Sequence, residues 1–222
     1  MDWRYGLGLA LFAFLLGSIP TGYLVGRARG VDIRKIGSGN IGATNVFRSL
    51  GRGPGVFVFA CDALKGLAAV LAAAGLIGSD WLPAAAGFVP ATAGITAGIA
   101  AILGHNFTPW LGFKGGKGIA TSAGVLLGIL PVSVSAALLV WIVLFYTTRF
   151  VSVASIGSAV TIPVVTAVLV AFQGANPLLL WFAVAVGALA IWRHRSNIVR
   201  LRAGTESRVE PRPKPQKKRR RA

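Results

Sequence analysis

The sequence predicts an all-α, polytopic membrane helix bundle, and three observations carry that prediction. Hydrophobic residues fill 55% of the 222 positions and mean hydropathy is +0.70, more than a water-soluble domain of this size carries. Uncharged runs extend over 5–26, 81–104, 118–148 and 150–192, and one membrane crossing needs about 20 apolar residues. The basic residues gather in short Gly- and Asn-containing segments where those runs end. Lipid offers no partner for backbone N–H and C=O groups, so crossings of this kind are helical.

The elements follow in order. The run at 5–26 is too long for the core of a secretory signal and has no fitting cleavage site, so it is expected to stay as a span. A second span at about 55–77 contains Asp62 and Lys65, three residues apart and so on one helix face. Charges at membrane depth are costly, which makes a buried structural ion pair the expected role for these two. A third span covers about 82–104. The 31 uncharged residues of 118–148 would form a helix of about 46 Å against a hydrocarbon core of about 30 Å. Pro131 divides them into 13 and 17 residues, hence two short or tilted helices. Gln173–Pro177 divides the last run in the same way.

Seven membrane helices result, at about 4–25, 55–77, 82–104, 118–130, 132–148, 152–172 and 177–193. With the N-terminus outside, Arg27, Arg29, Arg34, Lys35, Arg48, Arg52, Lys114, Lys117, Arg149 and the basic tail all lie inside, while only Asp2, Arg4 and Asp80 lie outside. Positive charge favours the cytoplasmic side, so this parity places the C-terminus in the cytoplasm. Two parts are expected: a membrane-embedded domain, 1–203, and a basic disordered tail, 204–222.

The formal charge of +17 raises a nucleic-acid reading. The basic cluster Lys214, Lys217, Lys218, Arg219, Arg220 and Arg221 sits beside a membrane face, where anionic headgroups are the nearer partner; no nucleic acid is expected. Cys61 is the only cysteine, which excludes intramolecular disulfides and thiolate metal clusters. No metal or cofactor is expected.

Three polar segments carry the chemistry. The first, Gly37-Ser38-Gly39-Asn40-Ile41-Gly42-Ala43-Thr44-Asn45-Val46-Phe47-Arg48, formally contains G-x-G-x-x-G, but the dinucleotide fingerprint needs a preceding strand and this stretch follows a membrane helix. What remains is local: glycines that let amides approach an anion, a helix start near 40–44, and Arg48 as a clamp. The second, Gly104 to Thr121, includes Lys114-Gly115-Gly116-Lys117-Gly118. Its glycine spacing is wrong for a P-loop and Gly118 stands where a magnesium-holding hydroxyl would be; two lysines flanking Gly-Gly at a helix start still suggest a phosphate cradle. The third runs from His194 to Glu206, with His194 and Asn197 on one side of a continuing helix.

Together, in this order and at these junctions, the segments closely resemble the bacterial acyl-phosphate:glycerol-3-phosphate acyltransferases, the PlsY family. The likeness runs from Gly17-Ser18-Ile19-Pro20 through Asp62 to Lys65-Gly66 and on to Gly204-Thr205-Glu206, about nine tenths of the chain. Ser196 departs from it, standing where the family commonly has glutamate.

The resemblance implies that the sn-1 hydroxyl of glycerol 3-phosphate attacks a long-chain acyl phosphate, giving 1-acyl-glycerol 3-phosphate and phosphate. It implies a catalytic set of Ser38, Arg48, Lys114, His194 and Asn197. Binding is expected from Gly37, Gly39, Asn40, Thr44, Asn45, Gly115, Gly116, Lys117, Ser152 and Ser155. Glycerol 3-phosphate is placed against Arg48, Lys114, His194 and Asn197, with Ser152 or Ser155 as a further contact. The acyl phosphate falls to Ser38, Asn40, Thr44 and Asn45, and Lys117 serves either anion. The acyl tail is expected near Ala120, Ala123 and Gly124, between spans.

Two routes for the proton stand open: His194 as general base, or a donor phosphate oxygen as acceptor with His194 positioning the alcohol. An acylated Ser38 is a third mechanism. The expected location is the bacterial cytoplasmic membrane with the site on its cytoplasmic face. A carrier for small organophosphates is the alternative, but carriers place their sites near the midplane within repeats, and here the cations collect at one face.

Overall fold

The computed structural model describes residues 3–77 and 91–209. Ten α-helices and two short 3-10 turns make up the regular structure there: α1 Trp3–Ser18, α2 Thr21–Ala28, α3 Ala43–Leu50, α4 Arg52–Ile77, α5 Ala91–Asn106, α6 Ile119–Ile129, α7 Pro131–Thr148, α8 Val151–Gln173, α9 Pro177–Arg193 and α10 Arg195–Arg202. No strand occurs among the described residues. The expected beginning of the third span, 82–90, and the basic cluster of the tail lie outside them.

Four helical stretches, 6–28, 52–73, 131–148 and 151–173, are long and apolar enough to cross a membrane, and α9 with α10 would make a fifth although the pair bends by 53°. Large apolar side chains such as Leu139, Val143, Phe172 and Trp181 are exposed on these helices, as a lipid-facing surface requires.

The breaks fall where local chemistry demands them. Pro131 begins α7 immediately after Leu130 leaves helical geometry, splitting 118–148 as expected. Asn176 caps α9 by accepting from Leu178 N at 2.9 Å, and Gly174 ends α8 in the left-handed region. The first span differs from the single helix expected over 4–25, because α1 stops at Ser18 and α2 restarts after Pro20. Proline supplies no N–H and obstructs the turn before it. The carbonyls so released are taken by distant side chains: Thr108 Oγ1 donates to Ser18 O at 2.7 Å and Lys65 Nζ to Ile19 O at 2.8 Å.

Glycine and alanine bring the helices together. A methyl group on Gly17 or Gly104 would collide with backbone across the α1–α5 contact, and one on Gly66 or Gly124 would do so across α4–α6. Backbone packing of this kind is how helices associate where lipid removes the hydrophobic drive. Asp62 and Lys65 form the expected buried ion pair, 2.8 Å apart, on the face of α4 turned to the protein interior. His105 Nδ1 lies 3.7 Å from the same Asp62 oxygen.

Candidate active site

Three helix starts and one helix end converge at one end of the bundle. The beginnings of α3 (Ala43, Thr44), α6 (Ile119, Ala120) and α8 (Val151, Ser152) line a cleft of about 460 Å³, together with His194 at the end of α9. Each helix start directs unpaired backbone amides and the positive end of its dipole into that space.

The first polar segment forms one wall. Asn45 is buried and organises it: its Oδ1 accepts from Ser38 N at 2.9 Å, and its Nδ2 donates to Ile33 O at 3.0 Å and Ile36 O at 3.1 Å. Gly37 is left-handed at φ +58°, and a side chain there would strike the Asn45 carboxamide. Asn40 Oδ1 accepts from Gly42 N at 2.8 Å, closing the turn that launches α3 one residue later. Gly37, Ser38, Asn40, Thr44, Asn45 and Arg48 line the cleft, and Gly39 does not.

The second segment is divided. Lys117 enters the cleft; Lys114, Gly115 and Gly116 do not. Gly115 N donates to Asn106 O and Gly116 N to His105 O, both at 3.1 Å. The Arg193 guanidinium takes the carbonyls of both glycines. With their N–H groups committed to the end of α5 and their carbonyls to Arg193, these glycines act in packing and do not offer the free amides expected of a cradle. A side chain on Gly116 would also overlap the His105 ring.

The third segment does not continue α9. The chain bends at His194, and α10 starts at Arg195. His194 and Asn197 nevertheless both line the cleft. His194 Nδ1 lies 2.8 Å from Ala190 O, which makes Nδ1 the protonated nitrogen and leaves the Nε2 lone pair free. Burial, with the nearby Lys117 charge, pushes the His194 pKa down to about 4 against the pull of the Ala190 bond, so the ring is neutral at physiological pH.

Residues beyond the expected set complete the site. Glu206 is held by three donors: Ser152 Oγ at 2.9 Å and Asn197 Nδ2 at 2.6 Å on Oε1, and Arg200 Nε at 2.7 Å on Oε2. Burial would raise its pKa, but these bonds and the Arg200 charge outweigh it and hold the carboxyl below its ordinary value. Asn197 Oδ1 in turn accepts from Lys117 Nζ. Burial, reinforced by the charge of Arg200, lowers the Lys117 pKa to about 8. Residues 205–209, assigned to the tail by sequence, form a strap over the cleft: Arg48 donates to Ser207 O at 2.9 Å and Val209 N to Arg149 O at 3.0 Å. Asp62 and His105 line the floor. Sequence spacing offered one pointer to Arg200, three residues after Asn197 on the same helix face, and Glu206 stood within the family pattern but past the expected domain boundary.

Charge accounting decides what the cleft can hold. Asp62 is matched by Lys65 and Glu206 by Arg200; among the described residues Arg48 hydrogen-bonds to a neutral carbonyl and Lys117 to a neutral amide, and neither forms an ion pair with a carboxylate. Two cations without carboxylate partners, plus three helix starts, suit two anionic groups.

The cleft continues into an apolar groove of about 390 Å³ between α4, α6, α7, α8 and α9, and Phe59, Ile119, Trp141 and Ser155 line both. Ala123, Gly124, Leu127, Val134 and Leu138 are among the groove's walls.

These features define an integral membrane helical protein in which a cleft lined by cationic side chains opens into an apolar groove. The chain belongs to the glycerol-3-phosphate acyltransferase family, whose profile matches residues 7–204. It is 47% identical over 203 residues to the glycerol-3-phosphate acyltransferase of Geobacter sulfurreducens, covering 91% of this chain and 96% of that one. Against the Geobacter metallireducens protein of the same name it is 50% identical over 199 residues, covering 89% and 94%. The crystal structure of PlsY (YgiH), an integral membrane glycerol 3-phosphate acyltransferase, in its glycerol 3-phosphate form matches with TM-score 0.80 and 40% identity over 93% of this chain and 96% of that one. Its lysophosphatidic acid form gives 0.78 and 39% over the same shares.

Proposed function

We propose that the protein transfers a long-chain acyl group from acyl phosphate to the sn-1 hydroxyl of glycerol 3-phosphate, releasing 1-acyl-glycerol 3-phosphate and inorganic phosphate. The observation that carries this reading is the joining of a doubly cationic cleft to an apolar groove through four shared residues. An amphiphilic anion fits across that junction, and a second small anion fits beside it. Glycerol 3-phosphate engages Arg48, Lys117, His194 and Asn197, with Ser152 nearby. The donor phosphate meets Ser38, Thr44 and the amides that begin α3. Asn40 and Asn45 shape that wall through their own backbone bonds.

The chain is read as crossing the cytoplasmic membrane seven times, with the N-terminus outside and the cleft at the cytoplasmic face. Arg27, Arg29, Arg48, Lys114, Lys117 and Arg149 support that orientation through the positive-inside rule.

An acyl phosphate is already activated, so the protein's task is to hold two repelling anions in line and stabilise charge. A neutral His194 with its pKa near 4 is a weak base. The hydroxyl proton therefore passes to a donor phosphate oxygen while Nε2 positions the alcohol. His194→Gln should retain about a tenth of the parental kcat, with the KM for glycerol 3-phosphate raised several-fold; complete loss with intact binding would make His194 the base instead.

The purified protein should release phosphate and lysophosphatidate only when both acyl phosphate and glycerol 3-phosphate are supplied. Phosphate release without the acceptor, or transfer from an acyl thioester in place of the acyl phosphate, would overturn the assignment.

A further inference from the structure

Where the polar cleft meets the apolar groove, the shared lining consists of Phe59, Ile119, Trp141 and Ser155. If the reaction is acyl transfer from acyl phosphate, on which the role assigned below to one of these side chains rests, the donor lies with its phosphate in the cleft and its hydrocarbon in the groove. Its carbonyl carbon joins the two and must then sit at that junction. Of the four residues, only Trp141 and Ser155 carry a polar hydrogen.

Ser155 is 3% exposed. Trp141 Nε1 donates to its Oγ at 3.3 Å, which occupies a lone pair and leaves the hydroxyl proton to be used elsewhere. Serines and threonines within helices commonly donate back to the preceding turn, as Thr161 does to Gly157 O and Thr166 to Ile162 O. The Ser155 hydroxyl makes no such bond, and its proton has no acceptor among the described residues. Ser152, one turn earlier, is committed to Glu206. The two serines on this face of α8 are thus in different states: one bound to the carboxylate network, the other with an unspent donor at the mouth of the groove.

We propose that Ser155 is a catalytic oxyanion donor and Trp141 the positioning residue that aims it. The acceptor oxygen bonds to the carbonyl carbon, and the carbonyl π pair moves onto its oxygen, where the Ser155 O–H holds it. The pair returns as the carbon–oxygen bond to phosphate breaks, and phosphate departs with the proton of the acceptor hydroxyl. Ser155 keeps its own proton throughout. A donor fixed in a water-poor corner needs no reorganisation as charge develops, and the bond from Trp141 polarises the hydroxyl it feeds.

The test compares the parent protein with Ser155→Ala, Trp141→Phe and the double variant, each purified in detergent and titrated with both substrates. Ser155→Ala should lower kcat about 100-fold while KM for each substrate stays within about threefold, because the interaction forms only in the transition state. Trp141→Phe keeps an aromatic ring in the groove wall and loses the N–H together with the five-membered half of the indole; its kcat should fall about fivefold, and the double variant should be no slower than Ser155→Ala alone. Binding of glycerol 3-phosphate by Ser155→Ala, measured by calorimetry, should match the parent.

Retention of more than a tenth of parental kcat in Ser155→Ala, or a loss expressed through KM or through failed acceptor binding, overturns the assignment. Should Ser155→Ala not fold, an unchanged kcat in Trp141→Phe overturns it and the fivefold fall upholds it. A parent that performs no transfer sinks the acyl-transfer reading itself, whereas an active parent with a fast Ser155→Ala sinks only the role given to Ser155.

Discussion

Lys117→Met should reduce acyl transfer about 1,000-fold, while Lys114→Met should remain within about threefold of the parent. Both lysines flank the same pair of glycines, yet only Lys117 reaches the cleft, where its ammonium donates to Asn197 Oδ1. Methionine keeps the unbranched stem and removes the charge. Loss of one electrostatic partner at a reacting centre typically costs 10²–10³ in rate, and in the proposed reaction the same group would also offset repulsion between two phosphates.

A pH signature accompanies the first of these variants. An ammonium depressed to about 8 is charged below that pH and loses its charge as pH rises through it. An arriving phosphate favours the charged form, so binding above about pH 8 must take up a proton. Apparent affinity for glycerol 3-phosphate should be flat from pH 7 to 8 and then weaken by up to about tenfold per pH unit. Lys117→Met should show no such limb; calorimetric titrations at pH 7, 8 and 9 read both effects.

Glu206→Ala should damage the fold as well as the reaction. Three donors, from Ser152, Asn197 and Arg200, end on this one carboxylate, and removing a shared acceptor leaves each of them short of a partner. A loss of about 3 kcal/mol is expected, equivalent to a fall of roughly 6–12 °C in Tm for a chain of this length. Activity should drop further than stability alone explains, because Asn197 is the link between Glu206 and Lys117.

The sign of the pH dependence follows from the depressed carboxyl pKa. The stabilisation is present in full above the carboxyl pKa of the unfolded chain and is lost as pH falls through the lower value of the folded state. Melts of the parent in detergent between pH 7 and pH 3 should lose more Tm than those of Glu206→Ala; parallel curves would exclude the carboxylate as a keystone.

Signals that act locally were legible in the sequence. Pro131, the Gln173–Pro177 break and the i, i+3 spacing of Asp62 and Lys65 each carry their structural consequence in one or a few side chains, and each appears as read. The convergence of Arg48, His194 and Asn197 was legible because polar segments at one face of a bundle have little else to meet. Pro20 was present but understated: whether a proline merely bends a span or divides it depends on partners for the freed carbonyls, and these came from Lys65 and Thr108 far along the chain.

The glycine pair misled for the same reason. Gly115 and Gly116 have the composition of an anion cradle, but whether an amide is free depends on what packs against it, here the end of α5 and Arg193. Glu206 lay beyond a boundary drawn from composition, since a turn rich in polar residues looks alike whether it faces water or folds back over a pocket.

The strap over the cleft has a bearing on biosynthesis. Arg48 and its partner Ser207 are separated by 159 positions, so this bond can form only after every helix between them has been synthesised and packed. A chain cut before residue 205 should leave Arg48 without that partner and the cleft without its cover.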